Sequence, residues 1–174
     1  MKNKALFLDR DGIINIDKSY VYRFEDIEWN NGIIELIQTA NQYNFLVIVL
    51  TNQSGVAQGI YKEEDVLLLH KKMTEYLIKN GAKIDDWFYC PDYSTSRRKP
   101  NPGMMIEARN KYNIDLNESF MIGDKVSDVL DIKGPKTFLL RGNYALDSLP
   151  SDKDIEIYHS IAEIHKRFVE LATS

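Results

Sequence analysis

The sequence predicts an α/β fold, a Rossmann-like three-layer sandwich in which helices cover both faces of a mainly parallel central sheet. Two observations support this prediction: short apolar runs bounded by polar or glycine-containing turns, and intervening stretches in which apolar residues recur at helical spacing. Continuous apolar runs are typical of strands that are buried on both faces of a parallel sheet. Their alternation with helices predicts a layer of helices on each side of that sheet.

Five strands are predicted from the apolar runs. They occupy residues 4–9 (KALFLD), 45–51 (FLVIVLT), 86–90 (DWFYC), 119–124 (SFMIGD) and 136–141 (KTFLLR). Each run is far shorter than the roughly 20 apolar residues that a helix needs to span a bilayer, so no membrane partner is expected.

Four helices are predicted from apolar residues that share one helical face. These faces run through residues 33–40, 66–77, 105–112 and 161–171. The stretch after Trp29 is typical of a helix start, and the pair at 81–82 (GA) is typical of a helix end. His70, His159 and His165 lie in helical stretches away from the polar motifs described below, which indicates surface or core positions rather than catalysis.

Length and composition predict a single domain over residues 1–174. The chain has no repeat, low-complexity tract or linker-like segment, and 174 residues leave little room for a second core. The formal net charge of −4 argues against a nucleic-acid partner. The chain has one cysteine, so no intramolecular disulfide is possible, and its first apolar run meets Asp9 too early for a signal peptide. We therefore expect a cytoplasmic protein.

Polar side chains follow the predicted strands at their carboxyl ends, where open α/β sheets bind ligands. These residues are Asp9 and Asp11 after the first strand, Thr51 and Asn52 after the second, the segment 97–100 (RRKP) after the third, and Asp124 and Lys125 after the fourth. Each group alone could be a turn or a solvated charge. Four groups at the same edge of one sheet indicate a functional site.

The residue types at this edge suit phosphoryl transfer with Mg²⁺. Asp9, Asp11 and Asp124 offer hard oxygen ligands, which Mg²⁺ prefers. Cations such as Lys99, together with neutral donors, can stabilise a transferring phosphoryl group. One carboxylate beside the metal can attack phosphorus, and a second can give a proton to the leaving alkoxide. A metal between the carboxylates would also offset their mutual repulsion.

Four segments resemble, in order, the motifs of the haloacid dehalogenase superfamily of phosphatases. They are LDRDG (8–12), VLTNQSG (49–55), RRKPNPGM (97–104) and MIGDKVSD (121–128). Their flanking residues are most similar to the heptose bisphosphatase and histidinol-phosphatase group. The resemblance implies hydrolysis of a small sugar phosphate, here the C7 phosphate of D-glycero-D-manno-heptose 1,7-bisphosphate, in heptose supply for lipopolysaccharide or another glycan.

The resemblance also implies roles for individual residues. Asp9 would be the nucleophile and Asp11 the general acid and base, with Thr51 and Lys99 steadying the phosphoryl group. Mg²⁺ would bind the Asp9 carboxylate, the Asp11 backbone carbonyl and Asp124. Apart from the resemblance, Asp128 could cap or orient within its helix, and we favour the alternative that it supports the residues near the metal. Substrate contacts would come from Arg10, Asp17, Lys18, Ser19, Tyr20, Asn52, Gln53, Ser54, Arg98 and Lys125.

Two segments depart from the family pattern. Members usually carry a zinc loop with Cys-x-His and then Cys-x-Cys, but the matching stretch here, CPDYSTSRRKP (90–100), keeps only Cys90. Asp92 stands where His is expected, and Thr95 and Arg97 stand where the later cysteines fall. A closed tetrahedral zinc site needs four such ligands, so we expect no structural zinc and a loop held by other contacts. The segment 128–140 (DVLDIKGPKTFLL) is also shorter than in the family.

Spacing between the motifs predicts a minimal cap and a small substrate. The interval from Asp11 to Thr51 holds little beyond a flap and one helix, and the interval from Asn52 to Lys99 holds one helix and one strand. Neither interval can contain a large cap domain. Specificity must then come from the short loops 12–30, 54–61 and 90–98, and we expect a monomer.

Three other functions use similar residues. Histidinol-phosphate hydrolysis shares all four motifs, and the loop 90–98, which is much shorter here than in the family, is the one that differs between substrates. A signalling receiver domain also places acids, a threonine and a lysine around Mg²⁺, but it carries its phosphorylated aspartate on a middle strand, which here ends in TNQSG (51–55). A phosphate-binding module without turnover is the third, and the presence of all four motifs argues against it.

Overall fold

The computed structural model, which describes residues 1–93 and 95–174, contains one six-stranded sheet. Its strands are β1 (Lys4–Leu8), β2 (Phe45–Asn52), β3 (Asp86–Cys90), β4 (Phe120–Gly123), β5 (Lys136–Leu140) and β6 (Ile155–Tyr158). The order is β3-β2-β1-β4-β5-β6, and every neighbouring pair is parallel. The predicted α/β class and the mainly parallel sheet are confirmed.

The sixth strand lies outside the five predicted apolar runs. It has four residues, IEIY, which are partly exposed and pair only with β5 at the edge of the sheet. A short edge strand needs no continuous apolar run, because one side of it meets solvent.

All four predicted helices are present. They are α1 (Ile33–Gln42), α2 (Glu63–Lys79), α3 (Gly103–Tyr112) and α4 (Ile161–Ala172). Helix α2 ends just before Gly81, whose φ of 73° lies in the left-handed region that favours glycine. At the start of α4 the Ser160 side chain accepts a hydrogen bond from the backbone N–H of Glu163, a typical N-cap.

The helices form one layer on each face of the sheet. Along β1, Leu6 and Leu8 point to the core that α1, α2 and α4 cover, while Ala5 and Phe7 point to the core that α3 covers. All four side chains are fully buried, as the alternation of a strand between two helical layers requires. The structure thus has the predicted three layers.

The strand β1 lies at the point where the strand order reverses. The chain runs outward from β1 through β2 to β3 on one side, and from β4 through β5 to β6 on the other. In open α/β sheets this switch point leaves a crevice at the carboxyl ends of the strands. Asp9 follows directly after β1, at the mouth of this crevice.

The cap is as small as the motif spacing predicts. Between β1 and α1, where the structure describes every residue, the only regular element is one 3₁₀ turn (Phe24–Asp26). The segment between β1 and α1, residues 9–32, is called the flap. It is held against α2 by the stacked rings of Trp29 and Tyr76, whose centroids lie 4.7 Å apart. Among the residues that the structure describes, no helix is both long and apolar enough to cross a membrane.

The loop between β3 and α3 is held by polar contacts. The Cys90 thiol lies 3.3 Å from the hydroxyl of Thr95, and the Arg97 guanidinium donates to Glu107 at 2.8 Å. The backbone N–H of Gly103 donates to the carbonyl of Ser96 at 3.0 Å. These contacts join described parts of the loop to one another and to α3.

Candidate active site

The carboxyl ends of the central strands bring a set of charged and polar side chains into one buried cluster. The set consists of Asp9, Thr51, Lys99, Asp124 and Asp128, all of them nearly inaccessible to solvent. The predicted convergence of residues from four motifs is therefore what the fold produces.

The Asp9 carboxylate is oriented through one of its oxygens. Oδ1 accepts hydrogen bonds from the backbone N–H of Arg10 and from the Lys99 ammonium, both at 2.9 Å. Among the described residues, no hydrogen-bond donor reaches Oδ2. Burial and the nearby Asp128 raise the pKa of Asp9 to about 6, against the opposing effect of Lys99. The geometry leaves Oδ2 available for a ligand or for an attack.

Asp124 has the features of an unsatisfied ligand. Its Oδ1 is buried and has no hydrogen-bond partner in the part of the chain that the structure describes. Burial, Asp9 and Asp128 together raise the pKa of Asp124 to about 8. A carboxyl pair in such surroundings fits a hard divalent cation, which would offset the repulsion and complete the coordination of the buried oxygen.

Gly12 lets the loop after β1 lie against Asp124. A Cβ at this position would come within 2.1 Å of the Asp124 carboxylate, and the φ of 93° also favours glycine. The two acidic loops therefore meet without an intervening side chain.

Asp128 belongs to the acidic cluster but its oxygens are already engaged. Carboxylate oxygens of Asp9, Asp124 and Asp128 lie within 4.8 Å of one another. Oδ1 of Asp128 accepts from the Lys99 ammonium, and Oδ2 accepts from the backbone N–H groups of Asp124 and Lys125 at 3.0 and 3.1 Å. Asp128 therefore holds the lysine and the loop after β4, whereas Asp9 and Asp124 keep free oxygens for a cation.

Lys99 is fixed at both its ammonium and its backbone. Burial lowers the pKa of Lys99, but Asp128 and Asp9 outweigh this effect and raise the pKa above its usual value. The Asn52 side chain accepts from the backbone N–H of Lys99 at 3.0 Å and donates to its carbonyl at 3.1 Å. Asn52 was predicted as a substrate contact. It borders the cavity, but both polar atoms of its side-chain amide bind the backbone of Lys99 and hold that residue in place.

Asp11 is held by three neighbouring side chains. Its carboxylate accepts from the Arg10 guanidinium at 3.1–3.2 Å, from Asn15 at 3.0 Å and from Gln53 at 3.0 Å. The same amide nitrogen of Gln53 lies 2.9 Å from the Thr51 hydroxyl, so Gln53 links the ends of β1 and β2.

A cavity of about 210 Å³ opens in front of these residues. Its lining consists of Asp11, Asp17, Ser19, Tyr20, Asn52, Gln53, Ser54, Tyr61, Lys125 and Tyr144. Most of the predicted substrate contacts therefore border one cavity. Tyr61 and Tyr144 were missed because neither stands in a motif, although Tyr61 ends the loop 54–61 that was predicted to contribute to specificity.

Tyr144 joins the loop after β5 to the flap. Its hydroxyl donates to Asp17 at 2.6 Å, and the Lys125 ammonium lies 4.5 Å from the centre of its ring. Although burial raises the pKa of Asp17, hydrogen bonds from Tyr144 and the backbone of Ser19 lower the pKa below its usual value. This end of the cavity thus offers a carboxylate, a phenol and a cation.

Three predicted substrate contacts point elsewhere. Arg10 is fully buried and turned away from the cavity, since its guanidinium pairs with Asp11 and donates to the carbonyl of Val21 at 2.7 Å. The Lys18 ammonium pairs with Glu28 at 2.9 Å, and Arg98 lies over the ring of Tyr93. Sequence motifs place a residue in a loop but do not give the direction of its side chain.

The interpretation of His70 as remote from the motifs was wrong. It is buried, as a core position implies, but its Nε2 lies 3.2 Å from Nη1 of Arg10. His159 is exposed, and His165 lies 2.8 Å from the Thr39 hydroxyl, away from the cluster, so these two were placed correctly.

A parallel α/β sheet with aspartates at the end of its central strand, facing a buried lysine and a second acidic loop, defines a phosphatase of the haloacid dehalogenase type. Comparisons with known proteins agree. The family model described as polynucleotide kinase 3 phosphatase matches residues 6–148. The chain belongs to this family of haloacid dehalogenase-type phosphatases.

Several relatives share a more specific name. A D-glycero-alpha-D-manno-heptose-1,7-bisphosphate 7-phosphatase from Campylobacter jejuni is 46% identical over 130 residues, which cover 74% of this chain and 76% of the relative. A D-glycero-beta-D-manno-heptose-1,7-bisphosphate 7-phosphatase from Pasteurella multocida is 37% identical over 94% of this chain and 95% of its own. A crystal structure of D,D-heptose 1,7-bisphosphate phosphatase from B. bronchiseptica, complexed with magnesium and phosphate, has a TM-score of 0.86 and 26% identity, and the match covers 96% of this chain and 98% of that one.

The raised pKa of Asp124 predicts how the stability of the metal-free protein depends on pH. The folded state holds a proton on this carboxyl up to about pH 8, whereas the unfolded chain, with a pKa of 3.8, releases it much earlier. The folded state then binds more protons than the unfolded state, so stability falls as pH rises towards 8. We expect the free energy of unfolding to fall by about 1–2 kcal/mol between pH 6.5 and 8.

Urea denaturation in EDTA at several pH values measures this change. Asp124→Asn is the matched control, because it removes the titrating group, and its stability should vary less over the same range. A wild type whose stability rises with pH in this window would contradict the prediction.

Proposed function

We propose that this phosphatase depends on Mg²⁺ and removes the C7 phosphate of D-glycero-D-manno-heptose 1,7-bisphosphate. The observation that carries the proposal is the position of Asp9, whose carboxylate has one oxygen held by Lys99 and belongs to a close cluster with Asp124. The names of the relatives from Campylobacter jejuni and Pasteurella multocida support the choice of substrate. The domain would be the whole chain, residues 1–174, acting as a cytoplasmic monomer.

In the proposed mechanism Asp9 and Asp11 divide the chemistry. The free carboxylate oxygen of Asp9 attacks phosphorus, and the bond to the C7 oxygen breaks to give an aspartyl-phosphate. Asp11 gives its proton to the leaving alkoxide, then takes a proton from water as the water attacks the aspartyl-phosphate. The Lys99 ammonium and the Thr51 hydroxyl stabilise the charge on the phosphoryl oxygens.

The residues that would hold Mg²⁺ are Asp9, Asp124 and the backbone carbonyl of Asp11. When bound, Mg²⁺ supplies positive charge to the carboxylates and to the phosphoryl group. Asp128 would support this arrangement by holding Lys99 and the loop after β4.

The far end of the cavity would recognise the sugar. Burial lowers the pKa of Lys125, but Asp9 and Asp124 raise it above its usual value, so this lysine carries a charge that suits a second anionic group. Asp17 and Tyr144 offer an acceptor and a phenol to sugar hydroxyls. Ser19, Tyr20 and Ser54 would complete the wall.

Phosphate release from a substrate panel tests the proposal. The panel contains both anomers of the heptose 1,7-bisphosphate, because the two relatives are named for opposite anomers, together with histidinol phosphate and several sugar monophosphates. We expect the highest kcat/KM for a heptose bisphosphate and loss of turnover in EDTA, restored by Mg²⁺. Higher kcat/KM for histidinol phosphate would keep the mechanism and reject the substrate. Turnover of none of these compounds would reject both.

The absence of a structural zinc stays a prediction. Cys90 and Asp92 cannot by themselves close a tetrahedral site, and Thr95 and Arg97 occupy the positions of the later ligands. Metal analysis of the purified protein after dialysis should find far less than one equivalent of zinc. One tightly held equivalent would contradict the prediction.

A further inference from the structure

Arg10 carries a fully buried positive charge, and its guanidinium is held at three points. Nε and Nη2 donate to the Asp11 carboxylate at 3.1–3.2 Å, and Nη2 also donates to the carbonyl of Val21 at 2.7 Å. Nη1 lies 3.2 Å from Nε2 of His70, the only acceptor that it meets among the described residues. His70 thus fixes the end of the guanidinium that Asp11 does not reach.

The contact with Arg10 determines the tautomer of His70. A guanidinium only donates hydrogen bonds, so Nε2 of His70 must be the acceptor and the ring proton must be on Nδ1. Burial and the charge of Arg10 hold the pKa of His70 well below its usual range, which agrees with a neutral ring. Nδ1 is buried without a hydrogen-bond partner in the described part of the chain. The Nδ1–H group therefore makes no hydrogen bond there, and the ring is held by Nε2 and by its packing contacts.

The His70 ring is itself held in place by β3. It stacks on the Trp87 ring with centroids 4.3 Å apart and an interplanar angle of 18°. The Trp87 indole donates to the Thr74 hydroxyl at 2.9 Å, and that hydroxyl donates to the backbone carbonyl of His70 at 2.8 Å. A ring locked in this way presents Nε2 to Arg10 in one orientation.

We propose that His70 is a positioning residue for the reaction: through Nε2 it fixes the Arg10 guanidinium, and the guanidinium in turn fixes the Asp11 carboxylate. The proposal rests on the role of Asp11 as the general acid given above. Among the described residues, His70 makes no hydrogen bond to Asp11 and does not line the cavity, so we expect its effect to pass through Arg10.

This role predicts that the loss of kcat/KM on replacing His70 depends on the leaving group of the substrate. A misplaced general acid slows the loss of an alkoxide, which needs a proton, much more than the loss of 4-nitrophenolate, which leaves readily without one. Because kcat/KM covers only the steps up to release of the first product, it is independent of the later attack by water. The ratio of kcat/KM for 4-nitrophenyl phosphate to that for benzyl phosphate therefore reports on the placement of Asp11.

Three variants of α2 separate positioning from stability. His70→Phe keeps a ring to stack on Trp87 but removes the acceptor, and His70→Gln removes the ring but keeps an acceptor. Met73→Ala opens the buried core one turn further along the same helix, without a change at Arg10. His70→Leu serves as a second acceptor-free variant if His70→Phe does not fold. Thermal unfolding of each variant reports its stability.

With Mg²⁺ present, we expect the ratio to rise about tenfold or more in His70→Phe or His70→Leu. In His70→Gln and Met73→Ala it should stay within about twofold of wild type, whatever their melting temperatures. Equal losses on both esters in the acceptor-free variants, or the same rise in Met73→Ala, would overturn the proposal. A wild type that hydrolyses neither ester nor the substrate panel would instead contradict the proposed function.

Discussion

Replacing Asp9 by Asn is expected to lower kcat by about 10³-fold or more while the protein stays folded. Asn has nearly the same shape as Asp but cannot form the aspartyl-phosphate, because its amide is a poor nucleophile. The position also favours a neutral side chain in the metal-free protein, since Asp9 is buried close to Asp128 and Asp124. Lys99 keeps its pairing with Asp128 in the variant.

Single-turnover and steady-state phosphate release, each with Mg²⁺, measure the loss. Thermal unfolding in EDTA is the control, and there we expect a melting temperature at or above that of wild type. A variant that keeps a tenth of the wild-type kcat would show that Asp9 is not the nucleophile.

Replacing Lys99 by Met is expected to lower the free energy of unfolding by about 3–5 kcal/mol at pH 7.5 in EDTA. Lys99 is the buried cation that pairs with Asp9 and Asp128, and methionine would leave these carboxylates together without a counter-charge. Turnover should fall as well, because the ammonium is proposed to stabilise the phosphoryl oxygens. Part of the lost stability should return at lower pH, where the carboxylates bind protons.

Lys136→Met is the matched control for this variant. Lys136 also pairs with two carboxylates, Asp154 at 2.7 Å and Glu156 at 2.9 Å, but these pairs are partly open to solvent and Glu156 has a second partner in Arg167. Its replacement should cost about 1 kcal/mol or less, since ion pairs that solvent screens contribute little. Urea denaturation compares the two variants, and equal losses would mean that burial does not strengthen the Lys99 pairs.

The buried strands and the amphipathic helices could be predicted from the sequence because each leaves a local pattern. Leu6 and Phe7 stand in one continuous apolar run, since both faces of β1 are covered by helices. The edge strand β6 leaves no such pattern: Glu156 lies in the middle of it and pairs with Arg167 on α4.

The cluster of Asp9, Lys99 and Asp124 could also be predicted, because parallel strands place all their carboxyl ends at one edge of the sheet. The directions in which the side chains point could not be predicted. Arg10 stands between two site aspartates yet points into the core, because Val21 and His70 offer acceptors there. His70 and Arg10 are 60 residues apart, and only the packing of α2 against the sheet brings them together.

The strand order also bears on how a nascent chain acquires this structure at the ribosome. The first 90 residues contain β1, β2 and β3, which pair with one another. The other edge of β1 pairs with β4, more than a hundred residues later in the chain. Until residue 123 has left the exit tunnel, the edge of β1 that later meets β4 keeps its backbone N–H and C=O groups unpaired, and these groups can pair with other chains. We expect this interval to be the time at which the growing polypeptide depends most on chaperones, and no partly synthesised chain can yet assemble the reaction centre.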